Sequence, residues 1–245
     1  MISKSKLKDL CAFRLQKNCD EQSVYVAEGT KMAHEAAASG ATLRICCATP
    51  KWLAENEAAT ARFEQIFEVS EADLERLSLQ KTPCGVWMLI GREKPKPVDP
   101  EAPLVLALDR LQDPGNLGTI MRTADWFGVR HIVCSADSVS NYNPKAVQAS
   151  MGAVLRTNVT YVANLAQWLG ASGRAVCGAD LDGTPVFGAK LPRPAALVIG
   201  NESRGLSPEV RGALTHRLTI PNVGGTAESL NASVAAAIIC AEFFR

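Results

Sequence analysis

IPNVGGTAESLNASVAAAIICA, residues 220–241, lies near the end of the sequence and decides how the rest is read. It opens on the end of a short apolar strand over residues 218–220 and a proline. It then passes a Gly224-Gly225 turn and the polar cluster Glu228-Ser229-Leu230-Asn231, and runs into a helix of small residues. Two earlier stretches share this build of short strand, Gly- and Asn-rich turn and helix. One is the apolar run 104–108 followed by Asp113-Pro114-Gly115-Asn116-Leu117-Gly118 and Arg122; the other is the run 195–199 followed by Gly200-Asn201-Glu202 and Gly205. In an open α/β sheet, ligands bind just beyond the carboxyl ends of strands. Three such ends predict one composite pocket.

Working outward from them, residues 104–245 alternate strand and helix, the pattern of a parallel sheet. The continuous apolar run 104–108 fits a strand buried on both faces. Helices are expected over 119–127, 144–152, 165–169, 207–214 and 232–241, and strands over 130–134, 159–162, 174–179, 195–199 and 218–220. Residues 1–90 read as a smaller α/β unit: a basic helix over 4–17, strands over 23–27, 43–48, 67–69 and 86–90, and helices between them. Residues 91–103, GREKPKPVDPEAP, carry four prolines and cannot form a regular element, so the domain boundary is placed there.

Composition narrows the function classes. At 47% hydrophobic and 21% charged residues, the chain has the make-up of a core-forming globular protein. The apolar run 234–241 is far too short to span a bilayer. The basic N-terminus lacks the apolar stretch of a secretory signal, so none is expected. Eight cysteines are scattered without a CxxC pair, and three histidines stand apart from them, so no metal site is expected. Their apolar surroundings read as reduced thiols of a cytoplasmic protein. A net charge of +1 argues against a wholesale polyanion coat but leaves room for local patches. The candidate patch is Lys4, Lys6, Lys8, Arg14 and Lys17, opposed over that span by Asp9 alone; the acidic span 55–75 reads as solvated surface.

Each polar stretch also has a plain structural reading. Asp113 to Gly118 is a turn in which Asn116 or Thr119 caps the next helix. Residues 200–205 are a strand-to-helix loop. Ser229 caps the last helix with Asn231 in its first turn. Arg122 resists this treatment, because a cation near a helix N-terminus opposes the macrodipole. With the helix amides it would make a phosphate seat. No GxGxxG follows a strand and no P-loop occurs, so a generic nucleotide-binding enzyme lacks its signature.

In order and content the three stretches resemble the motifs of the SpoU (TrmH-like) ribose 2′-O-methyltransferases of the SPOUT superfamily. The first motif, N-x-G-x-x-x-R after an apolar strand, is matched by Asn116, Gly118 and Arg122. The second, G-x-E-x-x-G, is matched by Gly200, Glu202 and Gly205. The third, an I-P strand end followed by S-L-N, is matched by Ile220, Pro221, Ser229, Leu230 and Asn231. Jointly these are highly specific and cover residues 104 to the C-terminus; the loop between Pro221 and Glu228 is about one residue longer than the commonest family form. Residues 1–90 resemble more loosely the substrate-binding domain of these enzymes, through VAEGTKMAHEAAASG and KTPCGVWMLIG.

The resemblance implies a C-terminal trefoil-knotted, parallel-sheet methyltransferase domain with a small N-terminal α/β RNA-binding domain, and a homodimer formed through the C-terminal domain. It implies S-adenosyl-L-methionine as cofactor, held near Val198, Ile199, Gly200, Asn201, Ile220, Pro221, Ser229 and Leu230. The implied activity is 2′-O-methylation of a ribose in RNA, large-subunit ribosomal RNA first and transfer RNA as the alternative. A non-catalytic RNA-binding or assembly protein of the same fold is the competing class. A guanidinium stays protonated in proteins. Arg122 is therefore expected to clamp a phosphate and stabilise the developing alkoxide rather than act as base. Asn116, Glu202, Ser229 and Asn231 are expected to orient it and the ribose. Lys4, Lys6, Lys8, Arg14 and Lys17, with Arg122, are the expected phosphate contacts.

Overall fold

The structure is a computed structural model that describes residues 2–245. The chain divides into two compact units. The first holds the chain up to Lys94 together with Tyr142–Leu155; the second holds Pro95–Asn141 and Arg156–Arg245.

The first unit contains α1 (Lys4–Cys11), α2 (Gln16–Glu21), β1 (Val24–Glu28), α3 (Thr30–Ala38), β2 (Leu43–Ala48), α4 (Pro50–Glu55), α5 (Glu57–Thr60), β3 (Gln65–Glu68), α6 (Glu71–Leu77) and β4 (Val86–Gly91). Its sheet runs β1-β4-β2-β3. β4 is antiparallel to both neighbours and β2 is parallel to β3. The single basic helix expected over 4–17 is not formed. Leu15 is extended (φ −91°, ψ 122°) and separates α1 from α2. The break lets Leu7, Leu10, Phe13 and Cys19 enter one core with Leu74, Leu77 and Trp87.

The second unit is built on β5 (Leu104–Leu108), α7 (Pro114–Trp126) and β6 (His131–Ser135). After the detour through α8 (Pro144–Ser150), which belongs to the first unit, come β7 (Asn158–Val162), α9 (Leu165–Ala171), β8 (Ala175–Pro185), β9 (Ala195–Ile199), α10 (Pro208–Gly212), β10 (His216–Thr219) and α11 (Ala232–Phe243). The six strands lie in the order β10-β8-β9-β5-β6-β7, and every neighbouring pair is parallel. β5 and β9 are buried along their whole length, as their unbroken apolar runs predict. β8 is longer than expected: its register against β10 shifts between Arg217 and Leu218, and Gly183 lets the Arg217 carbonyl close in.

Two features depart from the domain reading. Residues 142–155 were expected with the C-terminal domain but pack into the first unit, where α8 lies on β1 and Tyr142 stacks on Tyr25 at 4.9 Å. The proline-rich segment is not a free linker either. Arg174 donates to the carbonyls of Asp99, Pro100 and Ala102, and the Asn158 amide pairs with both backbone groups of Lys96 at 2.8 Å. Lacking N–H groups of its own, a proline-rich strand offers carbonyls, and a buried guanidinium with five donors is suited to collect them.

Candidate active site

From β5 the chain moves outward to β6 and β7, then returns to the other side through β8 and β9. The order therefore reverses between β5 and β9. The loops leaving the carboxyl ends of two such adjacent strands diverge and leave a crevice. Here the loop after β5 leads into α7, whose first turn carries Asn116, and the loop after β9 carries Glu202.

Helix α7 begins five residues before its expected start. Asp113 caps it, accepting from the Asn116 amide at 2.8 Å, and Pro114 occupies the first turn. Proline suits that position because its missing N–H would be unpaired there anyway. Asn116 is thus inside the helix rather than its cap, and its side chain is free to act elsewhere. The last helix is also capped differently from expectation. Asn231, not Ser229, is the N-cap of α11, accepting from the Ser233 and Val234 amides at 2.9 and 3.4 Å and from the Ser233 hydroxyl at 2.6 Å.

These caps fix a relay. The Asn231 Oδ1 is occupied by α11, so its Nδ2 points outward and donates to Asn116 Oδ1 at 2.9 Å. The Asn116 Nδ2 donates in turn to Glu202 Oε1 at 3.0 Å. A carboxylate is acceptor-only, so neither amide can be flipped without breaking a bond. Glu202 also accepts from the Asp113 and Gln112 amides at 3.2 and 3.4 Å. Asn116 is 8% exposed, while Glu202 and Asn231 reach the surface. With Gln112, Asp113 and Pro114 they line an open cleft.

The loop after β9 is shaped by its own backbone. Asn201 and Gly205 exchange both backbone hydrogen bonds, at 2.9 and 3.0 Å. Gly205 has φ +63°, a left-handed conformation that favours glycine. A Cβ on Gly200 would lie 2.5 Å from the Gly205 carbonyl carbon, so no side chain fits there. Sequence reading passed over three residues that hold this loop against the β5–α7 loop. Asp109, 2% exposed, accepts from the Ser207 amide at 2.6 Å. Arg110, at φ +57°, offers its carbonyl to Asn201 Nδ2 at 2.8 Å. Gln112 contributes the backbone contact to Glu202. A non-glycine residue in the left-handed region is strained and needs such support, but no side-chain pattern in the sequence signals it.

The other expected residues are placed as follows. Val198 and Ile199 are core residues of β9, so only their backbone can meet a ligand. Ile220 and Pro221 are half-buried. Ser229 and Leu230 lie in the exposed loop before α11. That loop is organised by Asn222, whose Oδ1 accepts from the Gly224 and Gly225 amides while its Nδ2 donates to the Gly225 and Ala227 carbonyls. The Gly-Gly turn is therefore an Asx turn, legible in the N-x-G-G sequence.

Arg122 does not join the cluster. It lies in the third turn of α7, six residues past Asn116, which rotates it by about 120° around the helix. It is exposed, on one stripe with Thr119 and Trp126. The phosphate seat of α7 amides plus Arg122 is accordingly not formed within one chain. In the first unit, Arg14 is committed to the carbonyls of Arg76 and Ser78 at 2.8 and 2.7 Å, and Lys17 pairs with Glu21. Lys6 lies over the Phe67 ring, and Lys4 and Lys8 are exposed.

Residues 103–241 match the SpoU rRNA Methylase family, and residues 4–87 match the MRM3-like substrate binding domain. A solved TrmH-family structure from Porphyromonas gingivalis superposes with a TM-score of 0.87 at 39% identity, over 99% of this chain and 98% of that one. An rRNA methyltransferase from Sinorhizobium meliloti, solved with S-adenosylmethionine bound, gives a TM-score of 0.86 at 28% identity over 99% and 96%. The 23S rRNA (guanosine-2′-O-)-methyltransferase RlmB of Neisseria meningitidis is 35% identical over 58% of this chain, and the match spans 58% of its own length. The motif residues, the parallel sheet that carries them and these matches agree: this chain belongs to the SpoU rRNA methylase family.

Proposed function

We propose that this protein transfers the methyl group of S-adenosylmethionine to a ribose 2′-hydroxyl of RNA, with large-subunit ribosomal RNA as substrate. The observation that carries this reading is the Asn231–Asn116–Glu202 relay at the reversal of strand order. It sets a carboxylate and two oriented amides, groups suited to a sugar hydroxyl, beside the loop after β9.

The residues around that loop suit the cofactor. Gly200 lets the Gly205–Leu206 backbone close in on it, which folds the loop after β9 into a tight turn whose outer edge would meet the cofactor. Val223 and Leu230, 99% and 48% exposed, leave apolar surface on the loop before α11 that an adenine face would cover. Bound there, the cofactor supplies an electrophilic methyl group. Glu202 would accept the hydrogen bond of the ribose hydroxyl, and the relay would hold that oxygen in line; positioning supplies a large share of such barriers. Arg122 would clamp a target phosphate and offset the charge of the developing alkoxide.

Since Arg122 is exposed and lies on a different stripe of α7 from Asn116, we assign it to the cluster of a second copy. The surface it occupies favours a homodimer. Trp126 is 85% exposed on the same stripe, and Val234 on α11, which packs on α7, is 45% exposed. The trefoil knot belongs to this reading as well. β10 is an edge strand, yet α11 packs on α7 and β9, so residues 220–231 must carry the chain back to the middle of the sheet. Among the described residues no helix is long and apolar enough to cross a membrane, and the work is assigned to the cytoplasm. The test is nucleoside mass spectrometry of ribosomal and transfer RNA from a strain lacking the gene. One missing 2′-O-methyl nucleoside in large-subunit RNA is expected; its loss from transfer RNA alone would reassign the substrate.

A further inference from the structure

We propose that the first unit grips the RNA phosphate backbone through a basic face made of Lys31, Lys51, Lys81 and Lys145, not through the N-terminal helix; this rests on the RNA-methylating reading above. All four are exposed, and none makes an ion pair among the described residues. They come from four separate segments that meet at one end of the unit. The Thr49 amide donates to the Gly85 carbonyl at 3.1 Å, joining the start of α4, which carries Lys51, to the loop that carries Lys81. Trp52 Nε1 donates to Thr30 Oγ1 at 2.9 Å, joining α4 to the start of α3, which carries Lys31. Lys145, at the start of α8, lines a small cleft with Glu28, Leu79 and Gln80.

Two further observations turn these lysines into a surface for an anion. Lys31, Lys51 and Lys145 each sit in the first turn of a helix, where a cation opposes the dipole and costs stability. That arrangement occurs three times at one end of the unit and has no structural benefit on view. The carboxylate inside the cluster, Glu28, turns its oxygens to the Ser78 hydroxyl and the Leu79 amide and forms no ion pair with the lysines, so four positive charges stand against one negative. The charges come from segments tied together by hydrogen bonds, a form in which phosphate contacts fix the register of a folded RNA. On the N-terminal side Lys6 lies over Phe67, Lys17 pairs with Glu21 and Arg14 is held by the Arg76 and Ser78 carbonyls, which leaves only Lys4 and Lys8 of α1 as exposed charges without such a partner among the described residues.

The test compares K31Q/K51Q/K81Q/K145Q with K4Q/K8Q/K17Q, using fluorescently labelled, protein-free 23S ribosomal RNA as probe. Both sets are exposed, so folding is checked by thermal melting and by S-adenosylmethionine affinity. The quadruple variant should lose at least about ten-fold in RNA affinity near 150 mM salt. Its slope of log K against log[salt] should shrink by about three to three and a half, since each of the four phosphate contacts contributes roughly 0.7–0.9. The triple variant should change neither quantity. Full affinity and slope in the quadruple variant, or the larger loss in the triple one, overturns the proposal. If wild type binds the RNA through this face yet transfers no methyl, the activity reading falls and this surface stands. If wild type binds no RNA, both fall.

Discussion

Asn116 and Asn231, 115 residues apart in sequence, share a side-chain hydrogen bond of 2.9 Å that ties the third residue of α7 to the cap of α11. The bond makes one asparagine do two jobs. Asn231 stabilises its own helix through Oδ1 and orients Asn116, and through it Glu202, with Nδ2.

The two jobs separate by substitution. N231D keeps the capping oxygen and removes the donor; N231A removes both. N231D should melt within about 1 °C of wild type, because Asp caps as well as Asn, while N231A loses about 1 kcal/mol, or roughly 2–4 °C. Both should lose about 100-fold in turnover, the usual cost of a mispositioned reactive group. Wild-type turnover in N231D would remove Asn231 from the site.

Gly200 shapes the loop after β9, to which we assign the cofactor, through what it lacks. G200A drives a Cβ into the Gly205 carbonyl carbon at 2.5 Å. Overpacking of this kind costs about 1–3 kcal/mol. Calorimetry should show S-adenosylmethionine affinity reduced at least about ten-fold. Unchanged affinity would separate this loop from the cofactor.

Mixing two inactive variants tests where Arg122 works. R122A carries an intact relay and E202Q an intact arginine. If Arg122 serves the second copy, each R122A/E202Q heterodimer regains one complete site, and an equimolar mixture recovers about a quarter of wild-type activity. If Arg122 serves its own chain, no activity returns.

His131 should make stability depend on pH. Burial holds its pKa below the usual imidazole value, partly opposed by Asp99 and reinforced by Arg174. The folded state favours the neutral ring, so the unfolded chain takes up a proton first. The contribution is complete above pH about 6.5 and is lost as the pH falls through that value toward the folded pKa. Melting temperature should drop between pH 7.5 and 5.5, and H131N should flatten that drop. An equal drop in H131N would place the dependence elsewhere.

The parallel sheet was legible because β5 and β9 are unbroken apolar runs, and their stated bounds match the structure residue for residue. The motifs gave Asn116, Glu202 and Asn231, which the fold brings together. Their roles were misread where a cap was assigned to the wrong polar residue. Asp113, Asn116 and Thr119 are all plausible caps by type, and Pro114 in the first turn decides between them. The same shift of helix start moved Arg122 from a helix end to its middle. Asp109 and Arg110 were not legible, since a buried carboxylate and a left-handed arginine are set by tertiary contacts and not by local pattern.

The most direct test of the central claim is transfer of labelled methyl from S-adenosylmethionine to separated ribosomal and transfer RNA from a strain lacking the gene, with wild type and E202Q side by side. The account predicts label at one ribose 2′-oxygen of large-subunit ribosomal RNA with wild type. With E202Q it predicts a loss of about 100-fold and unchanged cofactor affinity. Equal transfer by E202Q, or no label from a wild-type protein that binds both cofactor and RNA, would contradict it.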